Sequence, residues 1–200
     1  MRRIVYPGDM ISESKMRARG VYVENGRSYA SLVGMYDDEK GQFIPIEGVY
    51  EPREDDLLIG VVSDVKPNGY LVDVGLPNNS FISSKDFRDK ADAGRIVLAK
   101  VRAVDEIGNI TLSDPSIIEG GTIIQISPVK VPRVIGKNGS MLAQIKEATG
   151  SRIIVSKNGW IWISGGNAYL ASQAMLKIEA EAHTSGLTDR IMQFLEKGGR

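Results

Sequence analysis

The sequence has no cysteine and a single histidine, His183. Without cysteine, disulfides, thiol catalysis and zinc ribbons are excluded together. A multi-histidine metal site is excluded too, and a Ser-His-Asp triad would depend on His183 alone. No apolar run approaches the length of a membrane span. The opening residues, Met1-Arg2-Arg3-Ile4-Val5-Tyr6-Pro7-Gly8-Asp9, lack the apolar core of a signal peptide. The expected compartment is therefore the cytoplasm, with no membrane partner. Carboxylates do cluster at Asp37-Asp38-Glu39 and Glu54-Asp55-Asp56, but consecutive residues rarely converge on one ion. The expectation is a binding protein rather than an enzyme, with no catalytic residues, no metal and no cofactor.

Net charge is also lacking: 25 basic and 25 acidic residues balance over 200 positions. The balance hides an asymmetry. Residues 1–52 carry a net −1, residues 53–115 a net −3 and residues 116–200 a net +4. Between 123 and 160 there are six basic residues, opposed only by Glu147. An anionic partner would find its field there.

What is present reads as three domains of an α+β chain. In residues 1–52, two strand-like runs flank Asn25-Gly26, the dipeptide that best tolerates the positive φ angles of a type I′ hairpin turn. Gln42 to Ile46 suggests a further strand that Pro45 pushes to a sheet edge, and Asp37-Asp38-Glu39 a solvated turn. This is a β-hairpin-rich N-terminal domain. The charged stretch Glu51 to Asp56 marks the first boundary. In residues 53–115 about five short strands alternate with turns such as Pro67-Asn68-Gly69, the strand count of a five-stranded OB-type barrel. Asp114-Pro115 marks the second boundary. Residues 116–200 change period to β-α-α-β-β-α. Ser140 is placed to cap a helix whose face carries Met141, Leu142, Ile145 and Ala148. Asn158-Gly159 turns a second hairpin, Asn167 caps a long helix, and a short helix closes the chain.

Between the first two helices of this last segment stands Gly136-Lys137-Asn138-Gly139, the one Gly-x-x-Gly spacing in the chain. Glycines let backbone N–H groups approach phosphate oxygens without hindrance from a Cβ. Lys137 adds charge and Asn138 hydrogen-bonding capacity.

With Val134-Ile135 before it, this loop makes residues 122–185 resemble a type I KH domain. That family clamps the backbone of about four single-stranded nucleotides at the loop. The resemblance assigns binding to Ile135, Gly136, Lys137, Asn138 and Gly139, with Arg133 and Arg152 as phosphate partners. Residues 57–114 resemble the S-one type of OB fold, through Gly60-Val61-Val62, Asn68-Gly69-Tyr70-Leu71-Val72-Asp73-Val74-Gly75, Phe81-Ile82 and Ile110-Thr111-Leu112-Ser113. Such domains stack bases on aromatic rings beside a basic groove. Tyr70 and Phe81 align with the stacking positions. Lys100 and Arg102 share a strand face by period two. Lys66 and Asn68, with Arg88 and Lys90, would line a path. Trp160 and Trp162 are expected to pack rather than stack on bases. The S-one domain normally opens with a Gly-Asp turn where this chain has Asp55-Asp56.

The N-terminal segment adds Pro7-Gly8-Asp9, Tyr22-Val23-Glu24-Asn25-Gly26 and Tyr29-Ala30-Ser31-Leu32-Val33-Gly34. Taken in order, the three domains resemble the KH-containing RNA-binding cap subunit of the archaeal exosome over nearly the whole chain. The other cap subunit of that complex ends in a zinc ribbon, which the absence of cysteine excludes. The resemblance implies a non-catalytic subunit of a 3′-to-5′ exoribonuclease complex. Its partners would be single-stranded RNA, a hexameric ring of two RNase PH-like subunits docked through the N-terminal domain, and other copies of itself in a trimeric cap. It would guide RNA into the pore of the phosphorolytic ring. The alternative is an RNA-binding transcription elongation or antitermination factor, some of which also place an S-one domain before KH.

Overall fold

The computed structural model describes residues 2–18, 20–46, 48, 50–87, 90–182, 184 and 186–198. The chain divides into two compact units, residues 1–49 and 50–200. His183 and Arg88 lie outside the described residues.

The first unit is built from two small antiparallel sheets. Strands β1 (Arg2–Val5), β5 (Gly34–Asp37) and β6 (Gln42–Pro45) form one, in the order β1-β5-β6. Strands β2 (Met10–Ser12), β3 (Val21–Glu24) and β4 (Arg27–Ala30) form the other, in the order β2-β4-β3. Val5, Ile11, Ala30, Tyr36 and Phe43 fill the space they enclose. The β3–β4 turn has positive φ at both Asn25 and Gly26, 50° and 84°, as a type I′ turn requires. Pro45 ends an edge strand, where its missing N–H costs no ladder bond. Asp37 departs from the solvated turn expected of it. It is buried, and its Oδ1 accepts the N–H groups of Glu39 and Lys40 at 3.2 and 3.3 Å.

The second unit begins with a barrel. Strands β7 (Leu57–Lys66), β8 (Gly69–Asp73), β9 (Ser80–Ser83), β10 (Ile96–Val104) and β11 (Ile110–Ile118) close in the order β10-β11-β9-β8-β7. Only β9 and β11 run parallel; this is the OB arrangement. Leu58, Val62, Tyr70, Val72, Ile82, Val97, Val101, Ile110 and Leu112 fill the interior. The residues before β7 are stitched to this barrel. The Tyr50 hydroxyl donates to Asp56 Oδ2 at 2.7 Å, and the Asp55 N–H donates to the Val101 carbonyl at 2.9 Å. Asp114-Pro115, expected to end the barrel, lies inside β11. Pairing shifts between Leu98↔Ser116 and Lys100↔Ser113, so Ala99 faces two residues, and Asp114 has φ 49°. The pair forms a β-bulge, which absorbs a proline without breaking the strand.

The rest of this unit is a three-stranded antiparallel sheet backed by helices. Strands β12 (Thr122–Gln125), β13 (Arg152–Val155) and β14 (Trp160–Ser164) take the order β12-β14-β13. Helices α1 (Val131–Ile135), α2 (Ser140–Thr149), α3 (Ala168–Glu181) and α4 (Leu187–Gly198) cover it. Val134, Ile145, Ile161, Ile163, Ala174, Met175, Ile178 and Ile191 make the core. The element order β12-α1-α2-β13-β14-α3 is that of a type I KH fold. Two local expectations change. Gly139, not Ser140, is the N-cap of α2, and Ser140 is its first helical residue. The buried face of α2 is Met141, Ile145 and Thr149, while Ala148 is exposed. Asn167 caps α3, its side chain accepting the Leu170 N–H at 3.0 Å.

Candidate nucleic-acid interface

The loop between α1 and α2 is shaped by three departures from right-handed backbone within four residues. Gly136 has φ 76° and ψ 177°, a conformation essentially confined to glycine. A Cβ there would come within 2.7 Å of Met141 Cβ and 2.8 Å of its nitrogen. Asn138 follows at φ 52° and ψ 30°, and Gly139 at φ 79° and ψ 6°. The Gly136 N–H closes α1 on the Pro132 carbonyl at 2.9 Å. No side chain caps α2, so its N-terminal partial charge is left for an anion. Lys137 and Asn138 are exposed at the tip. Ile135 and Leu142 flank the loop in sequence, half-buried at the margin of the core, and offer apolar surface beside it.

Four exposed cations lie on this side of the KH fold. Arg133 and Lys137 are exposed, as are Lys146 on α2 and Arg152 at the start of β13. Among the described residues, no carboxylate lies within ion-pair distance of any of the four. Arg133 belongs with the loop. Arg152 follows the C-terminal end of α2, and ten helical residues put about 15 Å between it and the loop. It can meet only a more distant phosphate of the same strand.

The barrel candidates divide. Tyr70 pairs with Ile82 and shares its inward face; it is 7% exposed, with its ring tilted against Phe87 at 4.7 Å. It is a core residue and presents no ring face to a base, which corrects the stacking role expected of it. Phe81 pairs with Leu71 on one side and Thr111 on the other, on the outward face. Its half-buried ring is backed by Gly69, where a Cβ would approach Phe81 Cζ to 2.4 Å. Phe81 and Leu71 thus form an apolar outer platform. Asn68 is exposed in the β7–β8 turn. Lys66 is exposed, with its Nζ 2.5 Å from Asp64 Oδ2. The hydrogen bond and charge of Lys66 hold the Asp64 carboxyl below the usual carboxylate range. Arg102 Nη2 meets Asp86 Oδ1 at 3.0 Å. Lys100 is exposed with no carboxylate at ion-pair distance among the described residues. Lys90 is exposed as well.

One residue that sequence reasoning took as a plain turn ties the two RNA-site candidates together. Asn158 is 4% exposed, and its amide donates to the carbonyls of Ile59 and Val74 in the barrel, each at 2.8 Å. The Lys157 N–H donates to the Leu57 carbonyl at 3.0 Å. The Ser156 hydroxyl donates to Asn158 Oδ1 and holds the amide in place. Trp160 lies against Gly75, with its Nε1 3.0 Å from where a Cβ would stand. Trp162 packs in the sheet and donates its indole N–H to the Gly120 carbonyl at 2.7 Å. Barrel and KH fold are therefore joined through the β13–β14 hairpin. Only the Asn-Gly dipeptide was visible in the sequence; the carbonyls it reaches lie 84 and 99 residues away.

Among the described residues, no group of three or more His, Asp or Glu could hold a metal ion. No helix among them is long and apolar enough to cross a membrane.

Comparison with known proteins matches this fold. A KH domain family model matches residues 121–169. The exosome complex component Rrp4 of Pyrococcus abyssi is 39% identical, over 97% of this chain and 82% of its own length. Those of Methanosarcina mazei and Picrophilus torridus are also 39% identical, over 98% of this chain and 82% and 94% of their own lengths. A crystal structure of an exosome complex RNA-binding protein superposes with a TM-score of 0.69 at 33% identity, covering 75% of this chain and 97% of that one. With identity at this level sustained from end to end, the chain belongs to the Rrp4 family of exosome complex components.

Proposed function

We propose that this protein is the non-catalytic RNA-binding cap subunit of an exosome, working in the cytoplasm. It captures single-stranded RNA and guides it to a 3′-to-5′ phosphorolytic ring of two RNase PH-like subunits. Three copies form the cap. The N-terminal unit docks on the ring, the barrel of β7 to β11 borders the entry pore, and the KH domain follows it. The observation that carries this reading is the Gly136–Gly139 loop. Gly136 adopts a glycine-only backbone, the tip of the loop is exposed, and among the described residues no carboxylate pairs with the cations beside it. Such a loop suits the phosphodiester backbone, which supplies most of the affinity in RNA binding and makes it salt-dependent. Three modest sites on one ring raise the effective concentration of substrate, so no single domain needs to bind tightly. The transcription-factor alternative draws no support from the relatives.

Native mass spectrometry of the tagged protein, purified from its own cells, tests the assembly. The expected species contains two RNase PH-like subunits and fits three caps on a hexamer. Recovery with RNA polymerase, or only as a free monomer, would overturn it.

A further inference from the structure

The barrel and the KH loop treat their cations differently. Lys66 is held by Asp64 and Arg102 by Asp86. The two pairs sit at one end of the barrel. Lys66 pairs across the turn with Gly69, and Gly69 pairs with Ser83. The Ser84 N–H donates to the Asn68 carbonyl, and the Asp86 N–H to the Ser83 carbonyl, each at 3.0 Å. Asp86 is more enclosed than a usual surface carboxylate, with its side chain 22% exposed. Its second oxygen, Oδ2, is buried with no hydrogen-bond partner among the described residues, and Arg102 is the described side chain that answers its charge.

We infer that Asp64 and Asp86 are built-in competitors for RNA phosphate at Lys66 and Arg102, which make the barrel a weak guide while the KH loop holds the strand. This rests on the proposed RNA-binding function. A phosphate arriving at Lys66 or Arg102 must displace a carboxylate that already satisfies the cation, and it meets that carboxylate's repulsion as it does so. The Lys66 pair is exposed and therefore weak, and the Arg102 guanidinium is itself half exposed, so the exchange is possible but gains little. A strand that must move toward a pore is better served by contacts of this kind than by unpaired cations. Among the described residues no carboxylate competes in this way at Arg133 or Lys137.

The test is binding of a fluorescent single-stranded oligoribonucleotide to the full-length protein, titrated with salt. Asp64→Asn and Asp86→Asn are each expected to tighten binding about twofold to fivefold. The salt slope should steepen by up to about 0.7 for each cation released to phosphate. Glu119→Gln is the charge-matched control. Glu119 pairs with Arg95 at 2.9 Å, and Arg95 lies seven residues from Arg102, about 20 Å along β10. Its affinity is expected to stay within about twofold of the parent. If Glu119→Gln tightens binding as much as the other two, only net charge is at work and the inference falls. If Asp64→Asn and Asp86→Asn bind as the parent does, while a damaged KH loop weakens binding, the inference falls and the RNA-binding function stands. If the parent shows no salt-dependent binding, the proposed function itself fails.

Discussion

Replacing Asn158 with alanine should loosen the joint between barrel and KH fold. The amide uses both hydrogens on carbonyls of the barrel, Ile59 and Val74, and the residue is 4% exposed. Alanine leaves both carbonyls without this donor in a place water reaches poorly. A buried group left unpaired costs about 1–3 kcal/mol, so the loss of stability is about 2–5 kcal/mol. With a urea slope of about 2 kcal/mol per molar, the midpoint should fall by about 1–2.5 M. The chain has two tryptophans, one packed against the barrel at Gly75 and one in the adjoining sheet. Their fluorescence reports the joint directly. The sharper control is Asn158→Asp, which keeps the shape but turns a donor into an acceptor facing two carbonyls. It should be at least as damaging at neutral pH. A midpoint shift below about 0.3 M for both variants would show that the amide does not hold the two folds together.

Three further perturbations follow from the geometry. Gly136→Ala forces a Cβ to within 2.7 Å of Met141 in a glycine-only conformation; it should cost about 2–4 kcal/mol and RNA affinity, whereas Gly139→Ala, at φ 79° with open space around it, should cost about 1 kcal/mol. Equal melting temperatures for the two would contradict this. Asp55→Gly should stabilise by up to about 1 kcal/mol, because Asp55 is exposed at φ 66° and relief of left-handed strain outweighs the added chain entropy; a lower denaturation midpoint would count against it. Glu181 accepts from Lys177 Nζ and Arg190 Nε, each at 2.6 Å, and the Lys177 bond, then the Arg190 bond, lowers its carboxyl below the ordinary 4.5. A depressed carboxylate stabilises above its unfolded value and loses that stabilisation as pH falls through the folded one. Glu181→Gln should therefore melt earlier than the parent at pH 7, and the gap should narrow progressively as pH falls below about 4.5. A gap independent of pH would refute the ion-pair account.

Much of the architecture was legible because it rests on local chemistry. Asn25-Gly26 announces its turn through two residues that accept positive φ, and Gly136 to Gly139 announce their loop the same way. The five barrel strands were visible as apolar runs between turns. What depended on register was not. Tyr70 and Phe81 look alike in sequence, yet Tyr70 pairs with Ile82 and turns inward while Phe81 pairs with Leu71 and turns outward. A single-residue slip of either strand would turn its aromatic to the opposite face, and the register is set by the pairing with neighbouring strands. Asp114-Pro115 reads as a boundary because proline interrupts a ladder; the bulge that accommodates it needs the partner strand to be seen. Ser140 has the chemistry of a cap, but Gly139 already occupies that place with a left-handed backbone. Asn158 reads as a surface turn until the barrel is placed against it. The free or paired state of a cation depends on tertiary neighbours in the same way, which is why Lys66 and Arg102 looked equivalent to Arg133 and Lys137.

The central claim is that the KH loop grips the phosphate backbone of single-stranded RNA. The direct measurement is RNA affinity of the full-length protein across a salt series, for the parent and for Lys137→Asp combined with Asn138→Asp. Both residues are exposed, so the melting temperature should hold. Loss of charge-assisted contacts worth about 1.5–3 kcal/mol predicts at least a tenfold weakening and a shallower salt slope. Unchanged affinity and slope in the double variant would contradict the claim and move the grip elsewhere on the protein.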